Sequence, residues 1–497
     1  MLDLLPASTQ LADVRRGITI DRRKFAAACS VRCEELRGAS LGEGDRLGIC
    51  HRDSLALLID LFSAWQIGAA VVPLSASLLS NERKRAADRF ALSVWVSDQP
   101  LPSVKSLAPA EYRSSTGTST ISAARTNLDS PCLILSTSGT TAEPKGVVLT
   151  RRALMARIAL NIEWINADVL QRTLVTLPLH FGHGLIGNAL TPLLAGGTLY
   201  LWTEPALEGL ATLGALLDEH EITFLSSVPS MWRVALRVSK RPLRNSLRRI
   251  HVGSEPLPSD LWRAIANWAG ERQVFNMYGI SEAANWICGE DGASCDFVLG
   301  TVGRPWGGSV RIKQDERGEL TESGRGEILV STPGLMACYW QDKEGTAAAL
   351  DGGWFRTGDI GELDSNGRLR VVGRIKHQIN RGGIKISAEE IDALLRSHPD
   401  VEDACAFALP DPIAGEVVAA VVVAKQSADI DLSELVRWCS ERVRAEAVPH
   451  KIATVDKLPR TERGKVRRDA VKDLFLSIQR AKHDEQMEAR AANPSRN

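Results

Sequence analysis

Between Leu133 and Thr150 the chain reads LILSTSGTTAEPKGVVLT, an apolar run feeding the loop Ser136-Thr137-Ser138-Gly139-Thr140-Thr141, then Pro144-Lys145-Gly146. Small residues let backbone N–H groups approach a polyphosphate, the hydroxyls donate to its oxygens, and a lysine neutralises its charge. By composition this is a phosphate loop. It is not the Walker pattern, because Lys145 follows a proline and precedes a glycine. An ordinary Ser/Thr-rich turn is the plain alternative.

The segment resembles the signature loop of the adenylate-forming superfamily, which holds acyl-CoA synthetases, peptide-synthetase adenylation domains and luciferases and usually reads TSGTTGxPKG. Ala142 replaces the sixth-position glycine, which disfavours a positive φ there without removing a donor. Further motifs follow in the family's order. Gly44-Asp45-Arg46 with AWQIGAAVVPL resembles its early region, and Asn276-Met277-Tyr278-Gly279-Ile280-Ser281-Glu282 resembles YGxTE with serine for threonine. GGWFRTGD at 352–359, Gly373-Arg374-Ile375-Lys376 with Arg381-Gly382-Gly383-Ile384-Lys385, and LPRTERGK at 458–465 match its later motifs. The resemblance covers about residues 40 to 472.

That resemblance implies ATP, Mg²⁺ and CoA or a carrier protein's phosphopantetheine as cofactors. It assigns catalysis to Lys465, Lys145 and Glu282, with Glu282 also the metal ligand. It assigns nucleotide binding to Thr137, Ser138, Gly139, Thr140, Thr141, Lys145, Gly253, Ser254, Glu255, Asn276, Tyr278, Gly279, Ser281, Asp359 and Arg374. The chemistry is consistent. Tyr278 offers a flat face to adenine, Glu282 is a hard oxygen ligand suited to Mg²⁺, and Asp359 and Arg374 can bond ribose hydroxyls. Taken singly, each is as much at home as a core tyrosine, a solvated carboxylate or a surface ion pair. Lys465 is the cation to bridge a substrate carboxylate and the α-phosphate, two anions that must be brought together. Its neighbours Lys457, Arg460, Arg463, Arg467 and Arg468 read as a solvated basic segment.

In the superfamily a small C-terminal domain rotates between the two half-reactions about a residue two beyond the ribose-binding arginine. Here that is Lys376, in place of the commoner aspartate. His377 and Ala388 depart from the family's Asp and Pro. Thr176 to Leu185, TLPLHFGHGL, occupies the stretch where acyl-CoA synthetases carry a gate near the substrate carboxylate. His180 and His183 are therefore acyl-pocket candidates, and either could equally be a satisfied core histidine. No Asp occurs between Val169 and Gly197 to pair an α-ammonium, so α-amino acids are disfavoured as substrates.

These residues need a scaffold, and 497 residues suffice for about three globular units. With 60 Lys+Arg against 60 Asp+Glu, the chain is not built to coat nucleic acid or an anionic membrane. No leader pattern and no apolar run long enough to span a bilayer occurs, and the nine cysteines are scattered without CxxC spacing, so the reading is soluble, cytoplasmic and reduced. Leu55 to Gly68 predicts a helix running into the buried strand AAVVPL. Strands are expected at Thr173–Pro178, Gly196–Trp202, Ile222–Pro229 and Arg249–Gly253, separated by helices, which means α/β layers with largely parallel sheets. Pro102 to Ser130 reads as a connector. From Ser309 come short strands and turns, with Asn366-Gly367 a hairpin signal. After Arg374 the pattern is a compact α+β unit, with helices at Ser387–Leu395 and Leu432–Val443, strands at ACAFAL and VVAAVVVA, and a frayed tail from about Lys482.

The expected architecture is an α/β protein: a large N-terminal AMP-binding domain over 1–373, holding layered sheets and a small β-rich subdomain, and a mobile C-terminal lid over 374–497. The expected activity is an ATP-dependent acid–thiol ligase that forms acyl-AMP and passes the acyl group, aryl or aliphatic, to CoA. An acyl-AMP ligase that loads a carrier protein is the second reading, and a catalytically silent nucleotide-binding relative the third.

Overall fold

A computed structural model describes residues 2–112, 127–137, 145–203, 205–270, 272–314, 320–425, 430–461 and 464–491, with backbone alone over 482–491. Two largely parallel sheets form the first layers. One has eight strands, in the order Asn285–Asp291, Gln273–Ile280, Arg249–Gly253, Phe224–Ser227, Arg172–Val175, Thr198–Leu201, Gln10–Asp13 and Ile18–Asp21. Its inner strands pair parallel, and each edge closes with an antiparallel partner. The other has seven: Cys338–Tyr339, Lys145–Thr150, Pro131–Thr137, Ala70–Pro73, Arg46–Ile49, Val94–Val96 and Lys105–Leu107.

The helix Ser54–Ile67 shows how the sequence builds these layers. Asp53 caps it by accepting from the Ala56 N–H, and Gly68 ends it at φ 93°, a left-handed setting that glycine adopts without strain. Between those ends it is largely apolar and buried, its one acidic residue, Asp60, held by Arg32 and His51, the pattern of a helix packed within a core. It leads directly into Ala70–Pro73, also wholly buried.

A third, antiparallel sheet carries Trp354–Leu363 hydrogen-bonded to Leu369–Arg374. The Asn366-Gly367 turn makes that hairpin, with Gly367 at φ 74° and Asp364 accepting from the Asn366 and Arg368 N–H groups. Its register sets Asp359 opposite Arg374. The fourth sheet, Ile384–Ser387, Gln378–Arg381, Gly415–Ala424 and Val401–Asp411 with Lys451–Thr454, belongs to the C-terminal part. There the helix Ala388–Arg396 is capped by Ser387, and the chain's last helix buries Val471 and Phe475 against Phe407.

The structure corrects two expectations. The stretch read as a connector contains a strand, Lys105–Leu107, which extends the second sheet; residues 113–126 lie outside those described. The tail expected to fray from about Lys482 continues as helix from Arg468 to Ala491, in keeping with its Ala, Glu, Gln, Lys and Arg content. All nine cysteines are free thiols, seven of them buried. Among the described residues no helix is long and apolar enough to cross a membrane.

Candidate active site

Three clusters converge on the ends of these sheets. In the first, Tyr278 comes from the strand Gln273–Ile280 and Asp359 and Arg374 from the hairpin. The Tyr278 hydroxyl donates to Asp359 Oδ2 at 2.7 Å, and Arg374 Nε lies 2.6 Å from Oδ1. Burial, with Asp359 beside it, pushes the Tyr278 phenol well up, so it stays a donor. Asp359 in turn raises the Arg374 guanidinium. The strand bulges between Tyr278 and Gly279, where a Cβ on Gly279 would lie 2.4 Å from the Asn285 carbonyl oxygen, so only glycine admits the close approach. Asn276 is buried beneath, its amide donating to the Thr301 carbonyl at 3.0 Å.

The second cluster joins the phosphate-loop strand to the segment after Tyr278. Thr137 and Lys145 face each other across a β-pair, and Thr137 Oγ1 donates to the Lys145 carbonyl at 3.4 Å. Ser138, Gly139, Thr140 and Thr141 lie outside the described residues. Ser281 and Glu282 sit in a short 3₁₀ turn. Tyr339 stands between, its hydroxyl donating to Glu282 Oε1 at 2.8 Å and its ring centroid 4.4 Å from Lys145 Nζ. Among the described residues no group of three or more His, Cys, Asp or Glu could hold a metal. Glu282 is thus a single hard-oxygen donor, the set that suits Mg²⁺ when phosphates and water complete its shell.

The third cluster centres on His183, buried at the start of a π-helical segment, His183–Leu190. Its Nδ1 lies 2.8 Å from Ser254 Oγ and its Nε2 2.8 Å from Ser226 Oγ. Burial, aided by the Lys465 charge, pushes its pKa down to about 3, so the ring is neutral, one nitrogen donating and the other accepting. Ser254 holds φ 70°, and a Cβ on Gly253 would come within 3.6 Å of the His183 ring. His180 is half-buried and edge-on to Phe181 at 5.4 Å.

Glu255 accepts from Ser230 Oγ at 2.8 Å with Arg233 at 3.8 Å, and burial raises its pKa. The loop before Lys465 presses on this spot, since a Cβ on Gly464 would lie 2.9 Å from both Glu255 Oε1 and Ser230 Oγ. The Lys465 charge is felt at both Glu255 and His183. Lys376 sits exposed just beyond Arg374, its pKa lowered by partial desolvation and by that arginine. Next to it His377 Nδ1 contacts Glu389 Oε1 at 2.5 Å.

Motif reading missed Tyr339, Ser226 and Asn285. Tyr339 and Ser226 lie in plain strands, and only the contacts made on folding single them out. Asn285 is buried at φ 137°, and its Nδ2 has no hydrogen-bond partner among the described residues, nor has either ring nitrogen of His251. A Cβ on Gly187, one turn along the segment from His183, would lie 2.4 Å from that amide. Between the two histidines stands Trp286, 5.4 Å from His183 and 4.8 Å from His251.

Known proteins resemble this chain in sequence and fold. The AMP-binding enzyme family matches residues 11–340, and the AMP-binding enzyme C-terminal domain matches 390–465. A feruloyl-CoA synthase from an Amycolatopsis species is 32% identical over 461 residues, 88% of this chain and 91% of the relative. An indoleacetate–CoA ligase from Aromatoleum aromaticum is 35% identical over 349 residues, 69% and 67% of the two chains. The structure of O-succinylbenzoate CoA synthetase from Bacillus subtilis in complex with AMP superposes with a TM-score of 0.83 at 25% identity, covering 95% of this chain and 96% of that one. The chain therefore belongs to the AMP-binding enzyme family, as an acyl-adenylate-forming ligase of the acyl-CoA synthetase type.

Proposed function

We propose that the enzyme activates a neutral-tailed carboxylic acid with ATP and Mg²⁺, releases pyrophosphate, and transfers the acyl group from acyl-AMP to CoA. The observation that carries this reading is the seating of the Lys465 loop. Gly464 backs onto Glu255 and Ser230, so Lys465, the next residue, brings a cation to the loop whose Ser254 contacts the neutral His183. There it neutralises the substrate carboxylate and the α-phosphate as the oxygen of one attacks the phosphorus of the other. Asp359 accepts from the ribose hydroxyls, Tyr278 flanks adenine, and Lys145 takes charge from the leaving pyrophosphate. Mg²⁺, held by Glu282, supplies further neutralisation of the phosphate oxygens.

The acyl side favours an uncharged tail. His183 is neutral, and Trp286 packs against it with His251 on the far side of that indole. A second carboxylate there would have to leave water for surroundings made mostly of rings, at a cost of several kcal/mol. The unpartnered Asn285 amide suits an acid whose tail carries an acceptor oxygen. After adenylation the domain beginning near residue 374 swings about Lys376 and brings the Arg381-Gly382-Gly383 loop to the thiol. Loading of a carrier protein's phosphopantetheine shares every step but the acceptor and is the second reading. Presence of Lys145, Glu282, Asp359, Arg374 and Lys465 together speaks against a silent nucleotide binder.

A panel of carboxylic acids assayed for pyrophosphate release, with CoA and pantetheinylated carrier compared as acceptors, tests this. Aryl and short aliphatic acids are expected to release pyrophosphate, and CoA to accept the acyl group. An α-amino acid as best substrate by kcat/KM would overturn the substrate assignment.

A further inference from the structure

Tyr339 has no role in the motif reading, yet its backbone is laced to both halves of the phosphate site. It pairs with Val147 across the sheet, the Trp340 N–H donates to the Gly146 carbonyl at 2.7 Å, and the Ala337 N–H donates to Val148 at 2.9 Å. On the other side the Met336 N–H donates to the Glu282 carbonyl at 2.7 Å. The side chain is buried, 6% exposed. Its position therefore follows any shift of the Lys145 strand or the Glu282 turn.

A lysine and a glutamate converging on one half-buried cleft would ordinarily pair, which would block both for a ligand. No ion pair joins Lys145 to Glu282 among the described residues. The aromatic ring stands between them, holding the ammonium on its face and the carboxylate by its hydroxyl. A ring face attracts a cation less strongly than a buried carboxylate would, so Lys145 is held in place but released readily to a phosphate oxygen. The hydroxyl engages Glu282 Oε1 and leaves Oε2 for a divalent cation. Burial and the neighbouring carboxylate push the phenol well above its ordinary range, so it remains a donor.

We propose that Tyr339 is the positioning residue of the metal–phosphate site, orienting Glu282 for Mg²⁺ through its hydroxyl and parking Lys145 on its ring until a phosphate arrives. The assignment rests on the reading of this cleft as the ATP and Mg²⁺ site.

Its test is ATP binding to the full-length enzyme by calorimetry across a Mg²⁺ titration, with Mn²⁺ binding by electron paramagnetic resonance as a second readout. Tyr339→Phe keeps the ring and loses the hydroxyl. It should raise the Mg²⁺ needed for half-maximal ATP binding about tenfold, the size of one hydrogen bond to a charged group, and leave metal-free ATP binding within about twofold. Tyr339→Leu should weaken metal-free binding as well. In a Glu282→Gln background the Tyr339→Phe effect should vanish, as coupling through one contact requires. An unchanged Mg²⁺ dependence in folded Tyr339→Phe, or an effect that persists with Glu282→Gln, overturns the proposal. The two readings fail separately. Wild-type enzyme that releases no pyrophosphate with any acid but shows Tyr339-dependent Mg²⁺–ATP binding refutes the proposed reaction and upholds the tyrosine's role. Absence of Mg²⁺-dependent ATP binding in the wild type overturns both.

Discussion

Asp359→Asn isolates the ribose end of the nucleotide site with almost no change of shape. The carboxylate has about four acceptor positions; the Tyr278 hydroxyl and Arg374 use two, leaving two for a pair of ribose hydroxyls. Asparagine keeps one oxygen but loses the charge and turns the other position into a donor. Hydrogen bonds to a charged acceptor contribute about 1.5–3 kcal/mol each, and the half-exposed Arg374 side chain screens part of that, so a net loss of about 2 kcal/mol is expected. That corresponds to ATP binding weakened about 30-fold. Calorimetry with ATP and with 2′-deoxy-ATP is the assay, circular dichroism confirming the fold. Wild-type enzyme should bind the deoxynucleotide more weakly, and Asp359→Asn should erase most of that difference. ATP affinity within about twofold of wild type, or a deoxy penalty of unchanged size, would refute the assignment.

Lys145→Ala and Glu282→Ala should each slow pyrophosphate release by about 10²-fold or more, as expected when an electrostatic stabiliser of the leaving group is lost; near-normal acyl-AMP formation in both contradicts the site. His183, neutral and held near pKa 3 in the fold against about 6.5 in the unfolded chain, gives a pH signature. Between pH 6.5 and 4.5 the unfolded chain takes up a proton that the native one refuses, so stability falls as pH falls, by ~1.4 kcal/mol per unit from this group. Urea midpoints of His183→Gln should decline less steeply than wild type over that window, and parallel curves would show that the ring is not buried as described. Lys465→Ala should abolish acyl-AMP formation while sparing thioester formation from supplied acyl-AMP, and Lys376→Pro should do the reverse by fixing φ at the hinge; loss of both half-reactions in both folded variants is the outcome that rules out this division.

Local chemistry and periodicity by themselves determined the layered α/β class and the hairpin turn at Asn366-Gly367. The register that sets Asp359 opposite Arg374 was decided only when the two strands beside that turn paired. Helix Ser54–Ile67 was plain, because an apolar run between Asp53 and Gly68 states its own ends. Other features had no local signal. The helical tail has a weakly apolar pattern, and tertiary contacts anchor it: Val471 and Phe475 dock against Phe407, and Arg468 pairs with Asp392. His183 could be named, but whether it was charged or neutral depended on its burial and on a cation from the chain's far end, and its partners Ser226 and Ser254 lie 43 and 71 residues away. Tyr339 lies 57 residues from Glu282 and touches it because one edge strand runs beside the phosphate-loop strand. Spacing along a chain reports only neighbours within a turn or a hairpin. The burial that neutralises a histidine, and the ring that keeps a lysine from a glutamate, exist only once the sheets have closed.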